Sequence, residues 1–180
     1  MTAPRKPQFA LTSKAAPFVI RAERAADVAM REALLDACFG ENRHGRTCQR
    51  LRDGRDPMRG LSLVVLDGDD LVGTVRLWPV TLGLGRRGLM LGPLAVDDTR
   101  RSEGLGSKLM EAALKKAEDS GEPSVFLVGD PDYYRRFGFR QDTTSGLHLP
   151  GPVERRRFLG REFRPGAMSQ AKGLIQPLAA

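Results

Sequence analysis

An apolar strand, a glycine-bearing turn, an amphipathic helix and a second apolar strand follow one another between residues 89 and 129, and that succession admits few folds. LMLGPLAV (residues 89–96) is apolar on both faces, as a strand in the middle of a sheet must be. Residues 103–119 place Leu105, Leu109, Ala112, Ala113 and Ala117 on one helical face and Glu111, Lys115 and Glu118 on the other. Gly121 and Pro123 stop that helix, and SVFLVG (residues 124–129) returns to strand character. A strand–helix–strand unit feeding one sheet is almost always a right-handed crossover, so these two strands are expected to run parallel.

Upstream, LSLVVLD (residues 61–67) and LVGTVRLWPV (residues 71–80) flank Gly68-Asp69-Asp70, a β-hairpin pattern. A second turn over residues 83–88 leads into the central strand. The sheet is therefore expected to be mixed: antiparallel first, then parallel beyond its central strand, with flanking helices. Gly92-Pro93 interrupts the central strand, and proline donates no ladder hydrogen bond, so the sheet is expected to bulge or split there. Residues 18–21 read as an edge strand and residues 25–39 as a helix, with Val28, Leu34, Leu35 and Cys38 inward and Asp27 in its first turn. Residues 42–56 are basic and polar, with room for a short helix that buries Leu51 and Cys48. Residues 130–139 form a tight turn, residues 147–151 and 158–163 read as late strands, and the pattern after Pro165 decides nothing.

A length of 180 residues fits one domain over residues 18–180, preceded by a flexible arm over residues 1–17 that is rich in proline and free of acidic residues. No apolar run approaches membrane-span length, no secretory h-region is visible, and two cysteines make no disulfide framework, so a cytoplasmic protein is expected. His44 and His148 lie far apart without a second ligand at metal-like spacing, and no metal is expected. The net charge of +7 favours an anionic partner: a phosphate-bearing cofactor, an acidic substrate or nucleic acid.

The turn between the central strand and its helix carries the chemistry. Gly104-Leu105-Gly106-Ser107 opens the helix, where unpaired N–H groups and close backbone approach suit a phosphate. It is not a Walker loop, because Ser107 precedes Lys108, and it lacks the third glycine and later acid of a dinucleotide site.

LGPLAVDDTRRSEGLGSKLM (residues 91–110) resembles the acyl-coenzyme A motif of the GNAT superfamily of N-acetyltransferases, with Arg101, Gly104 and Gly106 in its Gln/Arg-x-x-Gly-x-Gly/Ala places. A tyrosine four residues before Gly-Phe, a second family signature, is met by Tyr134 with Gly138-Phe139. Together with FLVGDPDYYRRFGF and LHLPGP, the pattern is most similar to the YhbS-like branch of bacterial GNAT proteins.

The resemblance implies a bulged fourth strand splayed from the fifth, with the pantetheine of acetyl-CoA in the gap. It implies that backbone groups of Leu94, Ala95 and Val96 hold pantetheine and thioester, and that Arg101, Ser102, Glu103, Gly104, Leu105, Gly106 and Ser107 hold the pyrophosphate, with Arg101 the one side-chain charge. The implied reaction is direct attack of a primary amine on acetyl-CoA in a ternary complex. The Val96 N–H is expected at the oxyanion and Tyr134 as general acid, with Tyr133 exchanging roles if the register differs. Glu41, Asp97 and Asp130 offer carboxylates, but none has a spacing that makes it the base. The acceptor, a small molecule or a protein, would be contacted by the first helix, the loop after it and the late strands, and late-strand pairing offers a route to a homodimer. The rival reading is a non-catalytic module that senses acyl-CoA or binds RNA through its basic surface. At 6% aromatic the chain has few rings for base stacking, so nucleic acid is not the expected partner.

Overall fold

β1 (Val19–Ala22), α1 (Val28–Phe39), β2 (Ser62–Asp67), β3 (Asp70–Leu82) and β4 (Arg86–Val96) open the fold in the computed structural model, which describes residues 18–178. They are followed by α2 (Leu105–Asp119), β5 (Ser124–Val128), α3 (Pro131–Tyr134), β6 (Leu147–His148), β7 (Phe158–Glu162) and β8 (Gly173–Pro177). The arm expected over residues 1–17 lies outside the described residues.

The main sheet has the order β1-β2-β3-β4-β5-β7, antiparallel throughout except for the β4–β5 pair, which is parallel as the crossover requires. β4 and β5 pair only at Leu89–Val125 and Met90–Phe126. Beyond Met90 the two strands part at Gly92-Pro93, where the missing proline N–H ends the ladder, and on the β3 side these two residues of β4 stand against Arg76 alone, between the Val75–Leu94 and Leu77–Leu91 pairs. The bulged, splayed fourth strand is therefore present.

The central strands alternate between two cores. Leu89, Leu91, Val125 and Leu127 meet the apolar stripe of α2 (Leu105, Leu109, Met110, Ala113, Ala117) on one face. Met90 and Phe126 meet Trp78, Leu51, Leu149, Phe158 and Ile175 on the other. α1 packs Leu34 and Leu35 on Val64, Leu71 and Ala95.

Several boundaries depart from the expected ones. The first strand is shifted by one residue to Val19–Ala22, and the helix expected from residue 25 starts at Val28 after a 3-10 turn over Ala25–Asp27. β3 and β4 run further toward each other than expected, because Thr81 and Leu82 still pair with Arg87 and Arg86. α2 starts at Leu105 rather than at residue 103, since Gly104 is left-handed (φ 74°) and breaks the helical path. The basic segment holds two 3-10 turns, Glu41–Gly45 and Thr47–Leu51, with Leu51 buried and Cys48 half-buried. The expected late strand over residues 147–151 shrinks to the two-residue β6. The tail supplies β8, which extends the edge of β3 at Val80–Leu82 and also pairs with β6. That docking is tight: a Cβ on Gly83, itself at φ 57°, would collide with the Lys172 carbonyl oxygen.

Asp27 joins β1 to the start of α1. Its buried carboxylate accepts the Arg24 N–H (2.7 Å) and two bonds from the Arg21 guanidinium (2.6 and 2.8 Å). The Arg21 hydrogen bonds hold its carboxyl down at about 2, against the opposing effect of burial. A folded-state pKa below the ordinary 3.8 means that the stabilisation is complete above about pH 4 and lost as pH falls through about 2. Asp27→Asn is therefore expected to lower Tm at neutral pH, and its deficit against the unaltered protein should shrink on acidification from about pH 5 to about pH 2. A deficit that stays constant across that range would remove the ion pair from the account.

Candidate functional site

Where β4 leaves β5, one edge of β4 has no strand partner. The Asp97 N–H bonds the Val72 carbonyl of the antiparallel partner side (2.9 Å), so by alternation Ala95 also turns its peptide groups toward β3. Leu94 and Val96 turn theirs the other way, into the split. The Val96 carbonyl is indeed met from that side, by the Cys38 thiol at 3.4 Å. Two backbone N–H groups thus face a gap made by a fixed proline.

The chain then forms a concave turn. Asp97 caps a 3-10 turn over Asp98–Arg100, accepting the Thr99 N–H at 2.8 Å, which commits it to the backbone and away from base chemistry. Ser102 and Gly104 are both left-handed (φ 74° each), and α2 begins immediately after. The first bond to a residue before the helix is Lys108 N–H to the Gly104 carbonyl (3.0 Å), so the N–H groups of Leu105, Gly106 and Ser107 have no partner among the described residues. A helix start preceded by such a turn is an anion cradle.

These two features share one groove of about 430 Å³. Of the expected residues, Leu94, Ala95 and Val96 line it, as do Arg101, Ser102, Gly104, Leu105, Gly106 and Ser107. Glu103 does not: its carboxylate lies 3.7 Å from the Arg100 guanidinium. Arg101 is not the one charged side chain present, because Arg100 and Arg136 also line the groove. Arg101 is largely exposed and pairs with Asp98 at 2.5 Å, and Arg100 bonds Asp67. Cys38 and Phe39, at the end of α1, complete one wall, a contribution that no motif in α1 announces.

The two tyrosines of α3 separate. Tyr133 lines the groove, and its hydroxyl would stand 3.0 Å from a Cβ placed on Gly106; Arg136 covers its ring at 4.4 Å. Tyr134 does not line the groove. Its ring lies against the Gly129 backbone at the end of β5, 4.9 Å from the Tyr133 ring and 6.0 Å from that of Phe139. Burial, aided by Tyr133 and opposed by Arg157, pushes its hydroxyl pKa up to about 12. Asp130, a carboxylate candidate, instead caps α3 by accepting the Asp132 N–H (3.1 Å).

A larger hollow of about 790 Å³ lies by the Leu84 turn and the tail, away from the split. Its acids are already occupied: Glu162 accepts the N–H groups of Gly166 and Met168 (3.0 and 2.6 Å), and Asp142 pairs with Arg140. The smaller groove is the one that joins the split strand edge to the start of α2. Among the described residues no group of three or more His, Cys, Asp or Glu is placed to hold a metal, and no helix is long and apolar enough to cross a membrane.

Comparison with known proteins bears on the same region. Residues 19–141 match the model of the acetyltransferase (GNAT) domain family. The chain is 29% identical over 160 residues to the uncharacterized N-acetyltransferase YhbS of Escherichia coli strain K12, covering 88% of this chain and 95% of that one. The crystal structure of E. coli YhbS in complex with CoA superposes with a TM-score of 0.76 at 27% identity, over 89% of each chain. A GNAT family acetyltransferase from Brucella melitensis in complex with acetyl-CoA gives 0.69 at 27% identity, over 91% of this chain and 97% of that one.

Proposed function

The chain belongs to the GNAT acetyltransferase family, and from that premise we propose that it transfers the acetyl group of acetyl-CoA directly to a primary amine. The observation that carries this reading is one groove with two sets of unpaired donors, the Leu94 and Val96 N–H groups in the split and the first-turn N–H groups of α2. Those sets suit the two ends of acetyl-CoA, pantetheine with its thioester and the pyrophosphate. The complexes of its relatives with CoA and acetyl-CoA support the same choice of donor.

In the proposed reaction the amine reaches the split neutral, its ammonium proton having gone to water. The nitrogen lone pair attacks the thioester carbon, and the carbonyl π pair moves to oxygen. Whichever of the Leu94 and Val96 N–H groups faces that oxygen stabilises the oxyanion. The pair then returns, the C–S bond breaks, and the coenzyme A thiolate leaves with a hydrogen bond and then a proton from Tyr134. The amide nitrogen gives up its extra proton to solvent.

A covalent acetyl-enzyme is not favoured, although Cys38 lines the groove. Burial, helped by Asp98, pushes its thiol pKa up, and a protonated thiol is a poor nucleophile. The RNA-binding reading gains no support either, because Tyr133, Tyr134, Phe137 and Phe139 pack on one another.

Initial rates with a panel of primary amines test the reading. Amine-dependent release of coenzyme A thiol, with intersecting double-reciprocal lines and activity retained in Cys38→Ser, is expected. Parallel lines, with acetyl trapped on Cys38, would replace direct attack with a two-step route.

A further inference from the structure

The segment between α1 and β2 carries six arginines; among the described residues four of them have an acceptor, and Arg59 is solvent-exposed without one. Arg43 bonds Glu32 and Asp36, Arg46 reaches the Phe39 carbonyl (3.5 Å), Arg50 the Pro150 carbonyl (2.6 Å) and Arg55 the Asp53 carbonyl (2.8 Å). Arg52, just past the Thr47–Leu51 turn, donates no side-chain hydrogen bond and forms no ion pair among the described residues. Its Nε is sealed from solvent with no partner. Burial lowers the pKa of this guanidinium, the sign of a charge held where water does not repay it.

The position of that charge matters more than its isolation. A Cβ on Gly92 would stand 3.4 Å from Arg52 Nη2, so the guanidinium ends beside the Gly92-Pro93 bulge. Gly92 is itself fixed, its carbonyl accepting the indole N–H of buried Trp78 at 2.6 Å. It lies two residues before Leu94, the first residue of β4 to line the groove, or roughly 7 Å along a strand. Acetyl-CoA with its pyrophosphate at α2 and its thioester at residues 94–96 points its acetyl group toward this end. An amine in line with the thioester therefore arrives beside Arg52. The turn that precedes Arg52 is also fixed, since Thr47 Oγ1 donates to the Pro152 carbonyl (2.6 Å) and Arg50 to that of Pro150 (2.6 Å).

We propose that Arg52 is the anion-recognising residue of the acceptor site and selects primary amines that carry a carboxylate, an assignment that rests on the acetyl-transfer reading above. A carboxylate matches the planar fork of a guanidinium and supplies the partner that the protein withholds. Selectivity follows from the unpaired state. A neutral acceptor would leave the charge unsatisfied in the ternary complex, whereas an acid would satisfy it.

The test uses matched pairs of amines: glycine, β-alanine and γ-aminobutyrate against their carboxamides, with acetyl-CoA saturating. For the pair of best-fitting length, kcat/KM for the acid should exceed that for the amide by about 10- to 100-fold, the range of one charge-assisted hydrogen bond. Arg52→Gln should abolish that preference by lowering the acid's rate, leave the amide's rate nearly unchanged, and keep the thermal shift with acetyl-CoA. Arg52→Lys should retain part of the preference. Arg52→Met should lose it while raising Tm by about 2–4 °C, because an unpaired charge is replaced by an apolar side chain of similar length. A guanidinium with a merely structural role would instead lower Tm on removal and leave the acid-to-amide ratio alone. Equal or absent turnover of acids and amides with acetyl-CoA bound overturns the assignment. Failure of the acetyl-transfer reading itself is distinguishable, since it would remove the response to acetyl-CoA before any amine is added.

Discussion

Tyr134→Phe is expected to lower kcat for acetyl transfer by about 100- to 1,000-fold while leaving acetyl-CoA affinity nearly unchanged. The ring lies against Gly129, at the end of β5, across the split from the edge of β4 that bears the Leu94 and Val96 N–H groups. We propose that a leaving thiolate between the two strands draws on that hydroxyl from behind the groove wall, since Tyr134 does not itself line the groove. With its pKa pushed up to about 12, the phenol stays protonated through neutral and mildly alkaline pH. In the proposed reaction it would act first as a hydrogen-bond donor to the sulfur and give up its proton as the thiolate forms. Any loss of rate from deprotonating Tyr134 should accordingly appear near pH 12 rather than near the ordinary 10. Tyr133→Phe supplies the contrast. Its hydroxyl stands at Gly106, at the end proposed for the pyrophosphate, so KM for acetyl-CoA should rise several-fold with kcat little changed. The reverse pattern, with kcat lost in Tyr133→Phe and kept in Tyr134→Phe, would exchange the two roles.

Gly106→Leu is expected to weaken acetyl-CoA binding by about 100-fold or more, the loss of two charge-assisted hydrogen bonds at the cradle. A Cβ there would already stand 3.0 Å from the Tyr133 hydroxyl and 3.7 Å from Val96 Cγ2, so a larger side chain must turn into the groove. Gly104 behaves differently. Nothing lies within 4 Å of a Cβ built on it, but its φ of 74° disfavours any L side chain. Gly104→Ala should therefore cost about 1–2 kcal/mol of stability and little affinity. The two glycines of the motif separate by mechanism, one keeping space for the ligand and the other permitting the turn. Equilibrium titration of both variants with acetyl-CoA, alongside their melting curves, reads the difference.

Much of this was legible in the sequence because its signals are local and strong. Apolar runs at residues 89–96 and 124–129 around an amphipathic helix dictate the parallel crossover, and Gly92-Pro93 announces the split by removing a donor. Signals that depend on side-chain direction were not legible. Adjacent residues of one helical turn point about 100° apart, so a motif that selects Tyr134 does not say which ring lines the groove. Glu103 has ordinary helix propensity, and only the left-handed backbone at Gly104 keeps it out of α2. β8 is short, bounded by Gly173 and Pro177, and gains its strand character from the exposed end of β3 rather than from its own pattern. Arg155 illustrates the same limit. In a run of three arginines it reads as a solvated charge, yet its guanidinium donates to the Leu147 carbonyl (3.1 Å) and stacks 5.1 Å from the Phe158 ring. Arg52 is the opposite case, a residue whose meaning is the absence of a partner among the described residues, which no sequence pattern conveys.

Thermal unfolding with and without acetyl-CoA tests whether the split between β4 and β5 together with the α2 cradle is an acetyl-CoA site. At about 100 times its Kd the ligand should stabilise the fold by about 2.7 kcal/mol. For a chain of 180 residues that raises Tm by about 5–10 °C. That shift is expected in the unaltered protein and should be lost in Gly106→Leu. An unchanged Tm at saturating acetyl-CoA, or an equal shift in the Gly106 variant, would contradict it.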